Sequence, residues 1–209
     1  MAWSWVKKDE RYKYLAPAIE KMIAGADEIS EGMAAWYEQY SPFFDNETAG
    51  VSVLLAGASR KGMIPLAEYP LSKRAWEVLE KERLGKVLSK TDRENLIQGR
   101  ADLWFHDGER SFSFEFKKTS ERDNWGFGEK RTINDLVRMM NWAVEEVSRL
   151  DSYEYNHAMG GLISPVFDLE RVDLYEEFAG YVPLSLKIES SGGPVTYFYF
   201  ANKSLSLMR

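Results

Sequence analysis

The 209 residues carry 33 acidic and 27 basic side chains, a formal net charge of −6, with 44 % hydrophobic and 29 % charged residues. Those proportions exclude a disordered or collagen-like chain, and the acidic balance excludes a uniformly basic coat for gripping nucleic acid. With no cysteine, disulfides, thiol nucleophiles and cysteine-ligated zinc are excluded as well, leaving His106 and His157 as the imidazoles.

The first ten residues place charge where a signal peptide needs an apolar stretch, and no apolar run reaches membrane-spanning length, so a cytoplasmic protein is expected. Leu15, Ile19, Met22, Ile23, Ala26, Ile29, Met33, Trp36, Tyr37 and Tyr40 recur at steps of three and four, predicting an amphipathic helix from Pro17 to Tyr40. Residues 51–57 and 63–69 read as short strands, with Pro65 favouring an edge or irregular position. Ser72 suits the N-cap of a charged helix running through Trp76, Leu79, Leu84 and Val87, after which 89–100 reads as a loop. Residues 101–106 and 111–117 flank Asp107-Gly108, a hairpin signal. A polar stretch over 119–131 precedes a third amphipathic helix through Ile133, Leu136, Val137, Met140, Ala143, Val144 and Val147. Strands follow at 159–167, 181–188 and 195–201. The pattern predicts one mixed α/β domain, a mixed sheet flanked by helices.

The hairpin concentrates chemistry. Side chains alternate along strands, so Phe112, Phe114 and Phe116 face one way and Ser113, Glu115 and Lys117 the other. Ala101, Leu103 and Phe105 likewise separate from Asp102, Trp104 and His106. A two-residue Asp107-Gly108 connection pairs His106 with Glu109, and hence Leu103 with Phe112 and Asp102 with Ser113. That register superimposes the apolar rows and sets Asp102 diagonal to Glu115, on the face that also holds Lys117. Two carboxylates and an amine in so small an area suit a hard divalent cation. Magnesium takes a few carboxylate oxygens plus waters and substrate phosphates, and it generates hydroxide from bound water. The lysine amine can orient the attacking water or stabilise developing charge. Phosphodiester hydrolysis is the reaction this implies.

Asp102, twelve intervening residues and then Glu115-Phe116-Lys117 in a strand resembles the signature of the restriction-endonuclease-like PD-(D/E)XK nuclease superfamily. The resemblance implies an αβββαβ core with residues 71–100 as an insertion and extra C-terminal strands. It implies Mg²⁺ or Mn²⁺ held by Asp102, Glu115 and the main-chain carbonyl of Phe116, with Lys117 catalytic. Ala101 stands where the family name has proline. The family's helix-1 glutamate has candidates in Glu20, Glu31 and Glu38; Glu20, beside Ile19 and Ile23, is preferred, and Glu68 is a further candidate.

Charge supports a local nucleic-acid contact. Residues 60–131 hold 16 basic and 13 acidic groups, whereas 1–59 hold 5 and 9 and 132–209 hold 6 and 11. Lys118, Arg122, Trp125, Lys130 and Arg131, in or beside the 119–131 stretch, are the expected substrate contacts. The expected partner is DNA, with RNA the alternative, and a homodimer would suit duplex cleavage. The other function class is a nuclease-fold module without catalytic activity that binds nucleic acid or a protein partner. Residues 57–62 lack the ending of a phosphate loop, and no nucleophile elbow supports Ser-His-Asp chemistry.

Overall fold

The computed structural model describes residues 2–36, 41–119, 129–150, 156–189 and 194–205. Along the chain run β1 (Ala2–Lys8), α1 (Ala16–Ala34), α2 (Glu47–Arg60), β2 (Ile64–Arg74), α3 (Trp76–Arg83), α4 (Lys90–Glu94), β3 (Leu96–His106) and β4 (Ser111–Lys118). There follow α5 (Glu129–Ser148), β5 (His157–Val166), α6 (Val172–Ala179), β6 (Leu184–Glu189) and β7 (Val195–Ala201). The strands form one seven-stranded sheet in the order β1-β6-β7-β5-β4-β3-β2. It is mixed: β4 and β5 are parallel, joined by the α5 crossover, and every other neighbouring pair is antiparallel. No helix among the described residues is long and apolar enough to cross a membrane.

The two sheet faces bury separate cores. Leu103, Phe105, Phe112, Phe114 and Phe116 pack with Ile19, Met22 and Ile23 of α1 and Leu54 and Ala58 of α2. The opposite face packs Leu162, Tyr197 and Tyr199 against Leu136, Val137 and Met140 of α5 and Tyr175 and Phe178 of α6. Burying each large apolar side chain contributes about 1.5–3 kcal/mol, so the phenylalanine row fixes which face of β4 packs on α1 and α2. Ser113, Glu115 and Lys117 are thereby committed to the α5 side.

The mixed sheet flanked by helices and its C-terminal strands agree with the sequence reading, but several elements differ. Residues 51–57, read as a strand, lie inside α2. Asn46 is its N-cap, with an extended backbone and a side chain that accepts from the Ala49 N–H at 2.8 Å. The buried positions Gly50, Val51, Leu54, Gly57 and Ala58 follow helical spacing. Gly57 backs directly onto α1, where a Cβ would come within 2.4 Å of the Ala26 amide nitrogen. Helix α1 ends at Ala34, and residues 37–40 lie outside those described.

Ser72 lies within β2 rather than capping a helix; Ala75 precedes the short α3. Residues 89–100, expected as a loop, contain α4, closed by a reciprocal Ser89–Asp92 capping box, and the first half of β3. The hairpin register also shifts. A four-residue connection, 107–110, pairs His106 with Ser111, Phe105 with Phe112 and Leu103 with Phe114. The shift is two residues, an even number, so the assignment of side chains to faces survives. Strand β1 and helix α6 were not anticipated.

Candidate functional site

The β3–β4 ladder ends at Leu103↔Phe114. One step beyond, the same register would set Asp102 opposite Glu115 rather than diagonal to it, but the pair no longer belongs to the ladder. The strands part here, and Asp102 Oδ2 accepts from the Phe116 N–H at 2.7 Å, so the carboxylate takes over where the ladder bond is missing. On the other side, the β2–β3 ladder passes from Ala67↔Leu103 to Tyr69↔Ala101 and skips Glu68 and Asp102. Glu68 has φ +49°, a left-handed conformation that costs a non-glycine residue of order 1–3 kcal/mol. Regular pairing is thus interrupted on both flanks of Asp102, and the distortion sits where the acids gather.

Glu115 is 3 % exposed. Lys73 Nζ from β2 lies 2.7 Å from its Oε1 and 3.7 Å from Glu146 Oε2 of α5, and Arg149 Nη1 lies 3.2 Å from the same Glu146 oxygen. Lys73 and Glu115 thus form a buried ion pair. Burial, reinforced by the charge on Asp102, pushes the Glu115 carboxyl up to about 7 despite Lys73. Asp102 is also raised, chiefly by burial, against the pull of the Phe116 amide, Lys117 and Lys73. Lys117 Nζ lies 3.9 Å from Glu47 Oε1 and 5.1 Å from the centre of the Trp142 ring, whose residue is half exposed on α5. Perturbed carboxyls gathered with buried cations are a signature of functional sites.

Glu47 was not anticipated. It occupies the first turn of α2, and its carboxyl is raised by burial, then lowered by Lys117 and raised by Asp102. The signal for it lay in Asn46-Glu47, a cap followed by an acid, which the strand reading of 51–57 obscured. Glu20, the preferred helix glutamate, is elsewhere: its Oε1 accepts from Trp5 Nε1 at 2.6 Å and from Lys8 Nζ at 3.4 Å, both on β1. Four strand steps separate β1 from β4, roughly 19 Å at ordinary spacing. Glu20 is therefore corrected to a partner of β1. Glu31 is exposed on α1 and Glu38 lies outside the described residues. Glu68 is exposed, 3.5 Å from Arg100 Nη1.

The expected substrate contacts fare unevenly. Lys118 donates to the carbonyls of Asp45 at 2.7 Å and Phe44 at 3.4 Å, tying the end of β4 to the turn before α2 and thereby placing Glu47 beside Lys117. Its role in the fold is to hold that turn. Arg131 is exposed on α5, Arg122 and Trp125 lie outside the described residues, and the Lys130 side chain is likewise not described. His106 Nδ1 accepts from the Gly108 N–H at 3.0 Å and belongs to the hairpin turn.

Among the described residues no group of three or more His, Asp or Glu converges, as the side chains stand, to hold a metal ion. The donor chemistry nevertheless fits a hard divalent cation: the charge on Asp102 acts on Glu115 and on Glu47, so three carboxyls are linked through Asp102. Phe116 is fully buried among the core phenylalanines, so only its main chain is available to an ion. The chain matches no protein-family model, no curated protein and no solved structure, so what the site can do follows from its own residues.

Proposed function

We propose that this protein is a divalent-metal-dependent nuclease that hydrolyses phosphodiester bonds, in DNA, on a PD-(D/E)XK-like core. The observation that carries the reading is the meeting of Asp102 and Glu115 at the parting of β3 and β4, with Lys117 in the Glu115 row. The order α2, β2, β3, β4, α5, β5 supports it, since with α3 and α4 set aside as an insertion between β2 and β3 it runs α-β-β-β-α-β with β5 parallel to β4.

When bound, Mg²⁺ or Mn²⁺ would polarise the scissile phosphate and lower the pKa of a coordinated water. Asp102 and Glu115, with the Phe116 carbonyl and Glu47, would hold it. The Phe116 N–H fixes Asp102 Oδ2 and leaves Oδ1 for the ion. Lys117, held between Glu47 and the Trp142 ring, would orient the attacking water and offset charge on the pentacoordinate phosphorus. The partial burial of these groups excludes bulk water and strengthens each electrostatic contact.

Purified protein incubated with plasmid, single-stranded and branched DNA should cleave in Mg²⁺ or Mn²⁺ and stop with chelator. Asp102→Ala and Lys117→Met should each lower the rate by about 10²–10⁴-fold; cleavage that persists in either variant would falsify the assignment. One observation favours the binding-module reading: the Lys73 ammonium is already paired with a Glu115 oxygen. That reading expects DNA retention without cleavage in every divalent ion tested.

A further inference from the structure

Lys73 is buried, 9 % exposed, at a position where β2 pairs with β3 through Lys73↔Ile97. Removing two ions from water costs several kcal/mol each, so a buried pair such as Lys73–Glu115 is weak evidence for a stabilising role. The structure nonetheless builds a channel for this side chain. At Gly99 an added Cβ would fall 2.5 Å from both Cγ and Cδ of Lys73, so the lysine stem lies across glycine backbone and any side chain there would force it to shift. Beyond the stem, the ammonium reaches Glu115 Oε1 at 2.7 Å and Glu146 Oε2 at 3.7 Å. The strand is clamped at this point by the Lys73↔Leu150 bridge and by the Arg74 N–H, which donates to the Arg149 carbonyl at 2.7 Å.

Glu115 Oε1 is sealed from solvent against the ammonium. Its second oxygen is the one left for an ion. Carboxylates that ligate metals are themselves held by outer partners, and loss of such a partner typically costs 10–100-fold in metal affinity. A divalent ion seated on Asp102 and Glu115 would meet an ammonium already committed to the far oxygen and to Glu146, which keeps the two cations on opposite sides of the carboxylate.

We propose that Lys73 is the positioning residue of the candidate metal centre, locking the Glu115 carboxylate so that one oxygen is presented to the ion while the other is retained by the ammonium, with Gly99 as the slot that admits the lysine stem. The inference rests on the metal-nuclease reading and adds to it an outer residue from β2, outside the Asp…Glu-x-Lys motif.

The test is Mn²⁺ affinity by electron paramagnetic resonance titration of the full chain, with melting temperature measured on each variant. Lys73→Met should weaken Mn²⁺ binding about 10–100-fold, and Lys73→Arg should recover most of it. Gly99→Ala keeps every charge but obstructs the stem, and it should weaken binding in the same direction while the protein remains folded. It also serves if Lys73→Met does not fold. Unchanged affinity in the folded variants would overturn the proposal, as would tighter binding in Lys73→Met, which would make Lys73 a competitor for the site. If the unaltered protein shows no Mn²⁺ binding that depends on Asp102, the nuclease reading fails and this inference fails with it. Normal wild-type binding that is indifferent to Lys73 removes the inference alone.

Discussion

The two ends of the β3–β4 hairpin both gather polar side chains, and they behave oppositely. At the turn, Asp107 Oδ1 accepts from the N–H groups of Glu109 at 3.0 Å and Arg110 at 2.8 Å, and Arg110 Nη2 lies 3.4 Å from Oδ2. Burial there pushes the Asp107 carboxyl up, but the two amides and the guanidinium outweigh it and hold the group below its ordinary value. At the strand split, Asp102 and Glu115 are both raised because burial outweighs everything that pulls them down. The turn is a satisfied structural device; the split holds acids against their preference, beside a non-glycine residue in a left-handed conformation. Proximity of charged groups alone therefore does not tell the two ends apart, whereas the balance between burial and partners runs in opposite directions at them.

The largest effect that should separate the two ends is a pH dependence. The folded-state Glu115 carboxyl sits at about 7 against an ordinary 4.5, so the metal-free folded protein holds a proton that the unfolded chain has released. Its contribution to stability is full below about 4.5 and is lost as pH rises through about 7, a change on the order of 3 kcal/mol for a shift of this size. Glu115→Gln should abolish that loss. In chelator, the variant's melting temperature should gain on that of the unaltered protein between pH 4.5 and 8. A difference that stays flat over this range would show that the split is as well satisfied as the turn.

A smaller effect tests which helix completes the site. Glu47→Gln should weaken Mn²⁺ binding by about tenfold, as expected for loss of an inner or outer carboxylate, whereas Glu20→Gln, which alters only the Trp5 and Lys8 contacts on β1, should leave it unchanged. The reverse ranking would return the role to α1. The smallest effect belongs to the turn. Asp107→Ala removes acceptors for two backbone amides and should cost about 1 kcal/mol in a denaturant titration, with metal affinity unaltered; a loss of metal binding would erase the contrast between the two ends.

Much of the site was legible because its row is enforced by strand alternation. Phe112, Phe114 and Phe116 had to share a face, so Glu115 and Lys117 had to share the other, and the two-residue error in register could not change that. Glu47 was not legible for a related reason. Val51-Ser52-Val53-Leu54-Leu55 satisfies a short buried strand as readily as a buried helix face, and periodicity alone does not separate the two over so few residues. Misreading that segment moved attention from α2 to α1, and so from Glu47 to Glu20. Lys73 was hidden in what reads as the first turn of a helix capped by Ser72; it became visible only when β2 was found to run on to Arg74 and pair with Ile97 and Gly99 of β3.

The amino-acid order by itself determined the class of fold and the chemistry of the acid–lysine row, because side-chain alternation and hydrophobic burial act locally and depend on little else. Only the tertiary structure decided which charges from distant segments stand within reach of that row: Glu47 from the start of α2, Lys73 from β2, Glu146 and Trp142 from α5. Such contacts arise from the order of strands in the sheet and the point at which β3 and β4 part, and both are set by the packing of whole elements.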